Sequence, residues 1–471
     1  MTKLYYTTGI SGFTITKERI VRPSGKTREV SVIQTCEHDD DLPPGANVKR
    51  KKPHMKSRPK SRFIISIARN KFVCPHCGHE HINRYAVKTR LIQCENFGRL
   101  PTYVEVTVHR LYCPNCRKLS YESLPFVTSP RARMTRSLER TVVELRRIAS
   151  ISDIALHYGV PWKAVRDAEK RALKIRYRSV SLKDVRMIGI DELYVFSHEK
   201  SNRKYITVVR DLETGAVLNV SRGKGSDALN MFASRLARLK DGPKIDCVCM
   251  DMSNAYESWA RKHLPNALIV YDHFHVIKAM NDKLHAIRRR SLAAINAQTR
   301  STLRSANATA AEKRIAETVR EEYRKAFKDH LKLPAMNIED VVGNKDFEKE
   351  LKDMLSLNEV LSMAWTLKEE LRSIYANAED GLEACILFEC WIAKARATKV
   401  SELVSMAKTV EEHLAGILGF WEYRGATNAK AEGFNNKIRW LIKQAYGYRD
   451  YAYFRLKIFD LPEVEADDTD Y

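Results

Sequence analysis

The chain has 471 residues, with 81 Lys and Arg against 58 Asp and Glu, for a formal net charge of +23. With 44% hydrophobic and 30% charged residues it reads as a globular chain of several domains, which excludes a disordered one. The longest apolar stretch, 382–393, contains charges and falls short of the roughly 18 residues of a spanning helix, and residues 1–9 lack the pattern of a secretory signal. No membrane partner is therefore expected, and the expected compartment is the cytoplasm or nucleoid. The positive excess favours a polyanionic partner; the plainer alternative is a basic protein with no such role.

Residues 1–70 are poorly patterned and read as a basic N-terminal arm and linker, with a basic run at 49–60 that either touches phosphates or is only solvated. Residues 71–122 carry Cys74-Pro-His-Cys77 and Cys113-Pro-Asn-Cys116. Four thiolates in two tight knuckles fill one tetrahedral structural zinc site and leave no vacancy for catalysis, so a small zinc ribbon is expected. Between the pairs, residues 103–109 alternate as a strand does. Cys94, His76, His79 and His109 are nearby bystanders.

Residues 130–180 read as a helix-turn-helix. A short helix ends near Gly159, Pro161 suits the first turn of the next, and Lys163, Arg166, Lys170, Arg171 and Lys174 form its basic face. The competing reading is an ordinary helical hairpin with a solvated face. Residues 186–197, 204–212 and 216–222 then look like three strands, followed by helix 226–240, strand 244–251, helix 254–263 and strand 267–271. This order is that of a ribonuclease-H-like sheet. Its first strand lies centrally, with the fourth parallel beside it, so Asp191 and Asp251 become neighbours. The core would comprise 185–285 and 426–460, interrupted by a long all-helical insertion at 286–425 and followed by an acidic tail at 461–471.

Residues 428–446 form a helix with an apolar stripe of Phe434, Ile438, Leu441, Ile442 and Ala445. Glu432, Asn436, Arg439 and Lys443 form a second stripe, and Thr427-Asn428 can cap the start. That second stripe is either a metal ligand with DNA contacts or a solvated face. Two Asp on neighbouring strands and one acid on a packed helix can hold a pair of divalent cations that clamp a phosphodiester.

These segments together resemble the DDE transposases of the bacterial insertion sequence L-three family. The matching motifs are the two Cys pairs, Ile190-Asp191-Glu192, Cys249-Met-Asp251-Met-Ser-x-x-Tyr256, Val270-Tyr-Asp272-His-Phe274-His275, and Asn428-x-x-x-Glu432-Gly-x-Asn435-Asn436-Lys437 followed by Tyr446-Gly447-Tyr448. The resemblance implies a multidomain α+β enzyme. Asp191, Asp251 and Glu432 would be its catalytic triad and the ligands of two Mg²⁺ (or Mn²⁺), beside one structural Zn²⁺. It implies cleavage and strand transfer on double-stranded DNA, at terminal inverted repeats and target, by a homodimer or larger oligomer. Asp272 and His275 either assist the metals or are structural. The rival readings are a DNA-binding regulator derived from a transposase, and a ribonuclease-H-like nuclease that cuts without joining.

Overall fold

A computed structural model of the chain describes residues 10, 13–21, 27–29, 61–80, 82–98, 100–196, 204–329, 335–336, 341, 344–423, 429–445 and 447–461. The basic run 49–60, Thr427-Asn428 and the tail beyond 461 lie outside them, as do the side chains of 27–29 and 429–432. No helix among the described residues is long and apolar enough to cross a membrane. The chain is a mixed α/β protein of two compact units, Met1–Arg178 and Ser179–Tyr471.

The first unit is built on a sheet of β1 (Phe13–Val21), β2 (Thr27–Glu29), β3 (Arg62–Arg69), β4 (Asn83–Gln93), β5 (Thr102–Tyr112) and β6 (Leu119–Tyr121). The order is β2-β1-β3-β5-β4, with β6 on β5. Val104, Val106 and Val108 alternate into a core shared with Phe13, Phe63, Ile65 and Ile67. Strands β1 and β3 thus correct the expectation that residues 1–70 are only arm and linker. Phe63 to Ile67 pair in parallel with Thr102 to Val106, a partner too distant in sequence to suggest itself.

Three helices follow: α1 (Arg136–Leu145), α2 (Ile151–Tyr158) and α3 (Trp162–Arg176). Leu138, Val142, Ile154, Val165 and Ala168 make their common core. Ser150 and Asp153 form a reciprocal capping box at the start of α2, and Gly159 ends it at φ 67°. Pro161 is the N-cap of α3, one position earlier than expected. Gln93 at the end of β4 donates from Nε2 to the Tyr158 carbonyl at 2.5 Å, tying these helices to the sheet.

The second unit has a five-stranded sheet of β7 (Met187–Tyr194), β8 (Tyr205–Asp211), β9 (Val217–Arg222), β10 (Cys247–Met250) and β11 (Leu268–Tyr271), in the order β11-β10-β7-β8-β9. As expected, β7 is central and β10 lies parallel to it. Helices α4 (Asn230–Leu236) and α5 (Asn254–His263) connect the strands. Phe232, Tyr256 and Trp259 join Ile188, Ile190 and Val248 in one core.

From Asp272 the chain enters α6 (His273–Arg304), then α7 (Ala310–Arg324), α8 (Lys345–Leu357), α9 (Glu359–Asn377), α10 (Gly381–Ala397), α11 (Ser401–Glu412) and α12 (Leu414–Glu422). Helix α6 is continuous across the 285/286 boundary expected from sequence. Helix α12 returns to β11 through Gly416 and Gly419, where a Cβ would meet Tyr271 and Val270. The chain closes with α13 (Ala429–Gln444) and α14 (Tyr451–Phe459).

Candidate active site

Asp191 lies in β7, and Asp251 is the first residue after β10. The last registered pair of these parallel strands is Cys249 with Gly189. Asp251 and Asp191 each lie two residues further, so alternation directs both to the same side of the sheet. β10 and β11 pair to Met250–Tyr271, and the Asp272 backbone donates to the Met250 carbonyl at 3.1 Å. Asp251 and Asp272 thus follow directly on β10 and β11, beside Asp191 in the middle of β7.

Helix α13 closes the group. Asn435 Nδ2 donates to Asp191 Oδ2 at 2.5 Å, while the other carboxylate oxygen accepts from the Glu192 backbone at 2.7 Å. The Phe434 ring lies beneath the Arg210 guanidinium, 4.2 Å from its centroid, and pins the helix over β8. Glu432 precedes Asn435 by three residues in the same helix.

Asp251 is the strained member. Burial holds its carboxyl above the ordinary range, and Glu192 and Asp191 push it further, against His275 and Lys278. Its Oδ1 is buried with no hydrogen-bond partner among the described residues. A buried, unpartnered oxygen among like charges is a donor set that a cation would satisfy. Asp272 is also shifted upward by burial, yet it serves as a helix cap, its Oδ1 accepting from Phe274 N at 3.1 Å to start α6. His275 lies on the same first turn.

On the opposite side of β7, Glu192 Oε1 accepts from the Tyr256 hydroxyl and from Gly225 N at 3.3 Å, and Thr207 Oγ1 meets the same hydroxyl at 3.1 Å. Burial, then the Glu192 bond, raises the Tyr256 pKa. This buried network fixes the residue after Asp191.

Asn436, expected to face a groove, is exposed and accepts from Arg439 Nη1 at 2.8 Å, while its neighbour Asn435 makes the contact to Asp191. Lys443 is also exposed, and of the expected apolar stripe Phe434, Ile438 and Leu441 are buried, Ile442 is half-buried and Ala445 is exposed. The available signal for Asn435 was its i+3 spacing.

The four knuckle cysteines do converge. Cys74 Sγ is 3.6 Å from Cys116 Sγ, Cys77 is 3.6 Å from Cys113, and all four lie within 4.8 Å. Four sulfurs about 2.3 Å from one ion would be roughly 3.8 Å apart, so this set can hold a metal ion. A hydrogen bond from the His79 backbone lowers the Cys77 thiol to about 6, while desolvation and the neighbouring thiols push Cys116 up to about 12. The bystanders have other partners: His109 meets Glu122 at 2.9 Å, and Cys94 is buried, its thiol pushed up to about 12.

On α3, Lys163 and Lys174 are exposed and Lys170 is half-buried. Arg166 bonds Asp167 at 2.6 Å and lies over the Trp162 ring, and Arg171 ties α3 to Glu139 of α1 at 2.6 Å. The cationic face is thus narrower than its spacing implied.

A family model described as transposase, of the ISL3 DDE type, matches residues 188–458, which include all three acids. The chain belongs to the ISL3 transposase family. It is accordingly a DDE transposase, an enzyme that acts on DNA. The model of the helix-turn-helix domain of transposase family ISL3 matches residues 122–173, covering α1 to α3 almost to their end. The transposase for insertion sequence element IS1001 of Bordetella parapertussis is 24% identical over 386 residues, spanning 82% of this chain and 87% of that protein. The solved Drosophila P element transposase strand transfer complex is similar at 11% identity and a TM-score of 0.36, over 70% of this chain and 92% of that one, a score too low to establish a shared fold.

Proposed function

We propose that this transposase cuts the ends of its insertion sequence and joins them to target DNA in a ribonuclease-H-like core, with Asp191, Asp251 and Glu432 as the acids that hold two divalent cations, Mg²⁺ or Mn²⁺. The observation that carries this reading is the Asp251 oxygen, buried without a partner among the described residues, just after the strand next to Asp191. Bound there, the cations would activate water or a DNA 3′-hydroxyl and stabilise the leaving oxygen. Asn435 and the Glu192 backbone each hold one oxygen of Asp191, which leaves a lone pair on each for a ligand. The Glu192–Tyr256 bond keeps the strand from twisting out of register behind them. Asp272 caps α6, and Lys278 places positive charge near Asp251, with His275 close by.

Cys74, Cys77, Cys113 and Cys116 would hold one structural Zn²⁺. Lys163, Arg166, Lys170, Arg171 and Lys174 would bind the terminal inverted repeats through α3, and Asn436, Arg439 and Lys443 would contact the reacting strand. Bringing two element ends together calls for a homodimer or larger oligomer, working on the nucleoid.

The test is an assay with Mg²⁺ on duplexes carrying the element's ends. Wild type should both cut and join, and Asp251→Asn should do neither while still binding. Cutting without joining would support a nuclease, binding without cutting would support a regulator, and full cleavage by Asp251→Asn would remove that residue from the site.

A further inference from the structure

Helix α13 buries Phe434, Ile438 and Leu441 and reaches Asp191 through Asn435, but its outer side is open. Gly433, Asn436, Lys437, Trp440, Lys443 and Gln444 are all exposed, and their spacing of three and four puts them on one face. Trp440 is 65% exposed and has no hydrogen bond or ring contact among the described residues. A single exposed indole is ordinary on a protein surface, so the charge around it decides the reading. Its neighbours on the helix are Lys437 three residues before, Lys443 three after and Arg439 alongside, and no Asp or Glu occurs from 433 to 449. An indole among uncompensated cations fits nucleic acid, which offers a π-face and a phosphate at every step. From Asn435 to Trp440 the helix rises about 7.5 Å and turns by more than a third of a circle, so Trp440 stands on the outer side of the helix that reaches Asp191.

We propose that Trp440 is a nucleotide platform: its indole stacks on an unpaired base of the DNA strand that reacts at the acid cluster, with Lys437 and Lys443 on the flanking phosphates. The platform rests on the acid-site reading above for its position along the strand, and stacking itself tolerates any base.

The probe is a duplex with a single-stranded 3′ tail carrying 2-aminopurine, beside a blunt duplex of the same sequence. Wild type should quench the tail fluorescence on binding. Trp440→Ala should lose the quench and bind the tailed duplex roughly ten-fold more weakly, with blunt-duplex affinity and melting temperature unchanged. Trp440→Phe should keep most of the quench. Quenching by Trp440→Ala equal to wild type would overturn the proposal, as would an equal loss on both duplexes. A change in the sedimentation mass of the DNA-free variant would also overturn it, since Trp440 would then contact a second copy. Asp251→Asn separates the two readings. If it still cleaves while Trp440→Ala loses the quench, the acid assignment falls and the platform stands. If it is inactive while Trp440→Ala quenches normally, only the platform falls.

Discussion

The cysteine cluster and the acid cluster assemble in opposite ways. Each Cys pair is a local knuckle, and the register of β4 on β5 (Asn83 with Tyr112) fixes the distance between knuckles. The acid cluster has no local component: Asp191, Asp251 and the helix of Glu432 come together only through the central position of β7 and the docking of α13. The first needs two turns and one hairpin, whereas the second needs the whole unit. The sharpest break in the comparison is chemical. Asp251→Asn should lower DNA cleavage on the order of a thousandfold, because several kcal/mol of charge stabilisation would vanish with the cations proposed there, while leaving DNA binding intact. Cys77→Ser should do the converse: elemental analysis should find no zinc in the full-length variant, and amides of β4 to β6 should exchange faster while those of β7 and β10 stay protected. Loss of protection in β7 as well would mean the two clusters are not independent.

The dependence of the acid site on distant packing can be tested without touching an acid. At Gly416 a Cβ would fall against the Tyr271 ring and 3.3 Å from the Ile269 carbonyl. Gly416→Ala should therefore cost about 1–3 kcal/mol, read as a lower melting temperature, and should reduce cleavage by displacing β11. Asn435→Ala removes the side-chain bond from α13 to Asp191. A hydrogen bond to a charged group contributes about 1.5–3 kcal/mol, so cleavage should fall roughly ten- to a hundred-fold. Asn435→Asp should be worse than Ala, since it sets a second negative charge against Asp191. An Asn435→Asp variant as active as wild type would detach α13 from the site.

The same contrast explains what is legible in the sequence. The cysteine pairs and the Gly159 turn are short-range patterns, and the helix limits 254–263 emerge from periodicity, since Ser253 at its start makes no side-chain cap bond. The strand order around β7 follows from the alternation of elements alone. The strands at 13–21 and 62–69 escape a sequence reading because their partners are far along the chain and their flanks are charged. The Asn435 contact escapes it because helical spacing does not single out 435 over 436, and only docking selects between them. Arg171 counts toward a basic face by spacing, yet Glu139 on another helix claims it. In each case the deciding partner is tertiary.

The smallest effect should come from the most local feature, the capping box that starts α2. Burial plays little part there. The Ser150 hydroxyl, and then its backbone N–H, hold the Asp153 carboxyl below the usual carboxylate range. A depressed native pKa means the stabilisation is present above the unfolded value of about 3.9 and is lost as pH falls through the native one. Ser150→Ala should cost the helix-turn-helix about 1 kcal/mol near neutrality through the lost cap. That penalty should shrink as acid protonates Asp153 in both proteins. Hydrogen exchange of the α2 amides across that pH range reads it directly. A penalty independent of pH would show that Ser150 acts on the α2 backbone alone, without Asp153.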